Sequence, residues 1–251
     1  MIIYKSAEEI AKMREAGRVV AGTIDRVVAA VRPGIATADL DAVAEEYIDE
    51  QGAIPSFKGY KGYPASICAS INEEVVHGIP SPKRLLAEGD ILSLDFGAIW
   101  EGFHADSALT MFVGDPPSAE AEKLVRVTEE ALEAGISQIV AGARLSDVGA
   151  AVQQVAEGAG FSVVREYVGH GIGRNLHEDP QIPNYGEPGR GPLIKPGLVV
   201  AVEPMVNIGG WETRVLADDW TVVTEDGLLS AHFEHTIAVT EDGREVLTAR
   251  G

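Results

Sequence analysis

Apolar residues recur at helical spacing from about Ala7 to Val31, and Ser6-x-x-Glu9 ahead of them has the form of a capping box. A second helix is predicted from Thr37 to Gln51, with Thr37 as N-cap and Gly52 just past the end. The glycine- and proline-rich stretch SFKGYKGYP, Ser56 to Pro64, reads as a loop. Strand-like runs follow at Ala65–Ile71, Gly89–Ile99 and Ala105–Val113, then helical periodicity at Glu120–Val140 and Ser146–Gly158. The last third is strand-rich, with runs at Ser162–Val168, Leu198–Val206, Trp220–Val223, Ala231–Thr240 and Glu245–Thr248.

Two stretches resemble each other, VRPGIATADLDAVAEEYIDEQGA and IVAGARLSDVGAAVQQVAEGAGF. Gly34, Asp39 and Gly52 of the first align with Gly142, Asp147 and Gly160 of the second, each pair 108 positions apart. The repetition predicts two related α/β halves, about 1–115 and 116–251, forming one compact domain over 1–251 with a site between them. No low-complexity segment or linker separates the halves.

Composition narrows the function classes. A chain of 251 residues, 45% hydrophobic and 24% charged, can bury roughly 70–75% of its unfolded surface. Its net charge of −19 repels phosphate backbones, which argues against nucleic acid as a partner. Cys68 is the single cysteine, so neither an intramolecular disulfide nor a cysteine-built zinc site is available. The N-terminus reads as a helix start rather than a signal peptide, and no segment has the ~20 uninterrupted apolar residues of a membrane span. A cytoplasmic protein without membrane association is the default.

The strand-like runs carry carboxylates where burial is expected. LSLDFGAIWEGFHADS holds Asp95 and Asp106 on either side of a turn candidate at Trp100–Gly102. A hairpin folded there pairs positions whose numbers sum to 201, setting the two aspartates directly opposite each other on one face. Opposed like charges destabilise a sheet unless something neutralises them, and a divalent cation does so most simply. Glu203 ends the apolar run LVVAVEPMV at a proline; Glu234 lies inside AHFEHTIAV, with His232, Glu234 and Thr236 expected on one strand face. His170 sits in YVGHGIG, between glycines that allow a tight turn. Each has a bland alternative alone: a satisfied core histidine, a Glu203–Arg214 pair, an exposed edge for Glu234. Together they require four buried acids to find four separate partners, whereas one shared centre satisfies all of them.

Four carboxylates and one imidazole exceed the three protein ligands of a catalytic zinc and suit two adjacent ions, about 3.5 Å apart, that hold a hydroxide nucleophile at neutral pH. Mostly oxygen donors favour Mn, Fe(II), Co or Zn. His77 in SINEEVVHGIP and His177 in GRNLHEDP lie in turn-rich loops, where catalytic groups often sit. GHGIG lacks the spacing of a dinucleotide fingerprint.

Taken in order, SINEEVVHGIP, EGFHADSALT, GHGIGRNLHEDP, VEPM and EHT resemble the pita-bread metallopeptidases, and most closely the type I methionine aminopeptidases, over nearly the whole chain. The resemblance implies an α+β, two-layer fold: pseudo-twofold halves with a curved antiparallel sheet covered by helices. It implies a metal-dependent hydrolase that removes the initiator methionine from nascent proteins with a small second residue. Asp95 would hold one ion, Asp106 and Glu234 would bridge both, and His170 and Glu203 would hold the other. Glu203 would act as general base, His77 would contact the amide nitrogen beside the scissile bond, and His177 would polarise the carbonyl. The free α-amine of the substrate would bind a metal. The methionine pocket would fall on Tyr60, Tyr63, Cys68, His77 and Trp220, with Phe57 at its rim, and a structural monovalent cation would sit near Asn72 and Ser230. As partners the resemblance implies nascent polypeptide N-termini, with the ribosome as a place of encounter, and a monomeric protein. Leu176 stands where many relatives carry an aromatic residue, Phe57 where many carry a small one, and Glu74 is unusual beside the cation site; these departures bear on pocket shape, not on the reaction. The large N-terminal domain of the prolidase relatives is not expected here. The alternatives are a non-catalytic pita-bread module that binds peptides and a proline-directed peptidase of the same fold.

Overall fold

Helix α1 (Ala7–Ala30) starts where Ser6 Oγ accepts from the Glu9 amide at 3.2 Å and Glu9 returns a carboxylate oxygen to the Ser6 amide at 3.0 Å, the capping box expected from the sequence. Helix α2 (Thr37–Glu50) follows, but its N-cap is Ala36 rather than Thr37. The Thr37 hydroxyl is occupied elsewhere, exchanging hydrogen bonds with the backbone of Ser81, and Asp39 reaches back to the Ala36 amide instead. The computed structural model describes residues 1–251.

After a short β1 (Ile54–Pro55) and a 3-10 turn at Tyr60–Gly62 come β2 (Ile67–Ile71), β3 (Glu74–Val76) and the long hairpin β4 (Ile91–Trp100) and β5 (Phe103–Phe112). The second half opens with α3 (Ala119–Ser137) and α4 (Leu145–Gly158). It continues through β6 (Ser162–Val163), β7 (Gly169–Gly171), β8 (Glu178–Ile182), β9 (Val199–Val202) and β10 (Met205–Asn207), and closes with β11 (Thr213–Val215), β12 (Val222–Thr224), β13 (Ser230–His232), β14 (His235–Thr240) and β15 (Gly243–Val246). All strand pairs are antiparallel. Strand β4 carries β5 along one edge and β1 and β2 along the other, while β15, β14, β9, β7 and β8 form a five-stranded sheet in that order. Most predicted elements lie within a few residues of those observed; the run Ser162–Val168 is one exception, with only its first two residues in a strand.

The alternation of the central strands decides which residues meet. Leu92, Leu94, Phe96 and Ala98 of β4 point into the main core beneath the helices, together with Val20 and Ile24 of α1, Leu40 and Ile48 of α2, and Val200 and Val202 of β9. Asp95 lies on the opposite, inner face of β4. The 108-residue repetition extends beyond the three aligned positions. Helices α2 and α4 begin 108 residues apart, Asp147 caps the Arg144 amide as Asp39 caps that of Ala36, and the bridge Ala36–Leu85 recurs as Arg144–Leu193. Strands β4 and β9 start 108 residues apart as well, which makes Asp95 and Glu203 counterparts.

Two details differ from the sequence expectation. The β4–β5 turn is Glu101–Gly102, with φ of 47° and 80°, so paired positions sum to 203. Two-residue hairpins take this doubly left-handed turn because its twist matches the strands. Asp95 therefore faces Ala108 and Asp106 faces Gly97; the aspartates share a face as diagonal neighbours, not as a direct pair. The runs Leu198–Val206 and Ala231–Thr240 are also not continuous strands. The first breaks at Glu203–Pro204 and the second at Phe233–Glu234. At both breaks the chain leaves one sheet for another, β9 and β14 lying in the five-stranded sheet and β10 and β13 in a three-stranded one. Proline cannot donate to a ladder, which fits the first break. Glu234 is thus not a strand residue flanked by His232 and Thr236 on a common face; it occupies the crossing point beside Glu203.

Candidate metal centre

Five ionisable side chains converge on the inner face. Asp95 comes from β4, Asp106 from β5, His170 from β7, and Glu203 and Glu234 from the two strand breaks, and all five line one cleft. Donor atoms of Asp106, His170 and Glu234 lie within 4.8 Å of one another, and His170 Nε2 is 3.5 Å from Glu203 Oε1. The neutral alternatives for single residues fall away. Arg214 pairs with Glu225 rather than Glu203, and Glu234 is 2% exposed rather than on an open edge.

Threonine hydroxyls hold the carboxylates in register. Thr236 Oγ1 donates to the Asp106 carbonyl at 2.8 Å and accepts from the Asp106 amide at 2.9 Å, while Ala108 and Glu234 exchange backbone hydrogen bonds. Asn184, fully buried, donates to the Glu203 carbonyl at 3.0 Å. His170 is set by close packing rather than by a turn. Gly169 and Gly171 are strand residues, and a Cβ on them would lie 2.4 Å from the Ala201 carbonyl oxygen and 2.2 Å from that of Asp179. His170 Nδ1 bonds the Gly171 carbonyl at 2.9 Å, so this nitrogen carries the proton and Nε2 faces the carboxylates as a lone-pair donor.

The electrostatics are unfavourable for protein alone. Burial, with Asp106 a lesser opposing influence, pushes the Asp95 carboxyl up to about 7. Burial first, and the neighbouring carboxylates second, push Asp106, Glu203 and Glu234 well above the usual carboxylate range. Burial also lowers His170, keeping the imidazole neutral. Asp95 Oδ1, Asp106 Oδ1 and Glu234 Oε1 are buried without any hydrogen-bond partner. Unpartnered acceptors, clustered acids and a neutral imidazole with its lone pair inward are what divalent cations require, so the donor set fits such ions.

The remaining predicted residues surround this cluster. His77, with φ of 62°, packs edge-on against Tyr167 and Trp220 at 5.7 and 6.3 Å, and burial lowers it to about 4. His177 lies with its ring centroid 4.2 Å from that of His170; its Nδ1 bonds the Tyr60 hydroxyl at 2.9 Å, and desolvation lowers its pKa, although the residue as a whole remains open to solvent. Tyr63, Cys68, Trp220 and Phe57 build an apolar recess within a cavity of about 170 Å³. The Tyr63 hydroxyl donates to the Gly78 carbonyl at 3.0 Å, and its ring meets Trp220 edge-on. Phe57 and Leu176, the two pocket departures, lie in one buried cluster on the recess wall. Glu74 turns away from Asn72 and Ser230, bonding the Ile71 amide and Arg84, each at 2.8 Å. Sequence reasoning missed Lys61, which also lines the cleft; within a glycine-rich loop it gave no periodic signal.

The family model for metallopeptidase family M24 matches residues 11–241. Methionine aminopeptidase 1 of Bacillus subtilis is 56% identical over 248 residues, covering 99% of both chains, and methionine aminopeptidase of Clostridium acetobutylicum is 52% identical with the same coverage. The crystal structure of methionine aminopeptidase from Thermotoga maritima superposes with a TM-score of 0.97 at 47% identity, covering all of both chains. Prolidase from Pyrococcus furiosus, 21% identical with a TM-score of 0.81, shares the fold over 66% of its length. The chain belongs to metallopeptidase family M24 and, within it, to the methionine aminopeptidases.

Proposed function

We infer that the protein is a metal-dependent aminopeptidase that removes the N-terminal methionine from polypeptides with a small second residue. The observation that carries this reading is the junction of two unlike surfaces in one cleft: a cluster of buried, unsatisfied carboxylates beside an apolar recess lined by aromatic side chains. A thioether suits such a recess because sulfur packs favourably against aromatic edges.

Asp95, Asp106, His170, Glu203 and Glu234 would hold two divalent cations, from among Co, Mn, Fe(II) and Zn, with Asp106 and Glu234 shared by both. When bound, the pair supplies Lewis acidity, an anchor for the free α-amine and a water activated as nucleophile at neutral pH. Glu203 is the general base, a carboxylate at the strand break beside His170 and the other clustered acids. His177, held through Nδ1 by the Tyr60 hydroxyl at 2.9 Å, turns Nε2 to the scissile carbonyl, which it polarises when that nitrogen carries the proton. His77, which lines the same cleft and packs against Trp220, is assigned the contact to the amide nitrogen that departs. Tyr63, Cys68, Trp220 and the buried Phe57 take the methionine side chain, with the half-buried Tyr60 towards the entrance.

A monovalent cation near Asn72 and Ser230 is part of the same reading. Its support is the left-handed Asn72, φ 60°, whose carbonyl faces the Ser230 amide, and the buried Asn207 Oδ1 without a partner on the strand beside Ser230. The whole of 1–251 acts as one catalytic domain of two related halves, a monomer that meets nascent chains in the cytoplasm, at the ribosome or after release.

A panel of Met-Ala-, X-Pro- and Met-Pro-type peptides with Mn(II)-loaded protein tests the reading. Methionine from Met-Ala- peptides is expected, with X-Pro peptides left intact where X is not methionine. Cleavage of those X-Pro peptides, or of Met-Pro alone, would assign the cleft to the proline-directed relatives, and tight binding without cleavage of any peptide would assign it to a binding module.

A further inference from the structure

We propose that Lys61 makes the enzyme favour substrates with an acidic side chain at the third or fourth residue. The inference rests on the aminopeptidase reading above and adds to it a preference beyond the scissile bond.

The direction of the peptide follows from which parts of the cleft are closed. The recess of Tyr63, Cys68 and Phe57 is buried, so a methionine side chain entering it ends there. The exposed part of the lining is the side of Lys61 and His177. A polypeptide cut after its first residue must leave through this opening, passing Lys61.

Lys61 is the one lysine or arginine that lines the cleft. The other charged lining groups are the four clustered carboxylates, whose charge bound divalent ions offset. Other basic residues, none of which lines the cleft, are paired: Lys58 with Glu45, Lys12 with Glu101, and Arg174 with Glu9 at 3.4 Å. Lys61 has no carboxylate within 4.0 Å and lies over the Tyr60 ring, 5.3 Å from its centroid. Its backbone takes φ of 49° between Gly59 and Gly62, a left-handed conformation that lysine adopts rarely. An unpaired ammonium thus stands at the rim of a cleft on a molecule of net charge −19. At the rim it offers an incoming carboxylate a local partner that the distant field, screened beyond about 8–10 Å at physiological salt, does not cancel.

The test compares kcat/KM of the metal-loaded full chain on Met-Ala-Glu-Ser, Met-Ala-Gln-Ser and Met-Ala-Lys-Ser, with Lys61→Gln, Lys61→Glu and Lys61→Arg variants. For the unaltered protein the glutamate peptide is expected to exceed the glutamine peptide about two- to five-fold at low salt, the size of an exposed ion pair, with the lysine peptide lowest. The preference should vanish in Lys61→Gln, reverse in Lys61→Glu, survive in Lys61→Arg, and shrink at high ionic strength. Equal rates on all three peptides, or a preference that persists in Lys61→Gln, would overturn the proposal alone. Methionine release from none of them would overturn the aminopeptidase reading as well.

Discussion

Asp95 shows how one side chain serves two opposed demands. Alternation along β4 places it on the inner face, where burial raises its pKa to about 7 and leaves Oδ1 without a partner. A raised folded pKa means the contribution to stability is present below the unfolded value of about 3.8 and is lost as pH rises through about 7. In metal-free protein at pH 8, Asp95→Asn is therefore expected to raise the melting temperature while abolishing methionine release in the presence of metal. Calorimetry paired with a release assay checks both, and an active Asp95→Asn would remove it from the ligand set. His77 is argued to act on the reaction and not on the ions. His77→Ala should lower kcat roughly 100-fold or more while metal content by mass spectrometry stays unchanged; near-normal kcat would exclude it from the mechanism. His177→Ala should cost about 3–4 kcal/mol of transition-state stabilisation, the worth of one oxyanion donor.

Among the elements, the segment before α1 and the turn at His177 are joined by a buried ion pair. Lys5 Nζ lies 2.7 Å from Glu178 Oε2, with side chains 2% and 4% exposed, and Glu178 Oε1 also accepts from the Asn175 amide. Glu178→Gln leaves the ammonium buried and uncompensated, a loss of about 3–5 kcal/mol. At about 2–4 °C per kcal/mol for a chain of this size, the melting temperature should fall by roughly 10 °C. Lys5→Met with Glu178→Gln should recover most of that loss, and a single variant as stable as the parent would show that the pair contributes nothing. The helices, the Ser6 cap and the repeated α2 and α4 units were legible because each is a local pattern: periodicity, a cap, a glycine at a fixed offset. The metal-site residues were legible because carboxylates in apolar runs stand out chemically. The hairpin register was not, since it depends on whether the turn centres on Trp100–Glu101 or Glu101–Gly102, a choice made by left-handed backbone at Glu101. Pro204 signalled the break at Glu203, whereas the break at Glu234 was hidden because the residues on both sides remain strand-like; the change of sheet at each is a tertiary event. Gly169 and Gly171 were read as a flexible turn, although what they supply is absence of a Cβ between two neighbouring backbones.

For the whole molecule, the four clustered carboxylates couple folding to metal. Their raised pKa values oppose ionisation in the metal-free protein, while bound ions require the ionised forms. The stabilisation by added Mn(II) should accordingly grow between pH 5 and pH 8. At 100 times the dissociation constant it should reach about 2.7 kcal/mol, roughly 5–10 °C in melting temperature. A metal-induced shift independent of pH would mean the ions bind elsewhere.

The central claim is that these carboxylates hold catalytic ions beside a methionine pocket. Its most direct test is free methionine released from Met-Ala-Ser by chelator-stripped protein, with and without added Co(II), Mn(II) or Fe(II). The account predicts no release without metal and restored release with at least one of them. Folded protein that releases no methionine with any metal, or releases it equally well after stripping, would contradict it.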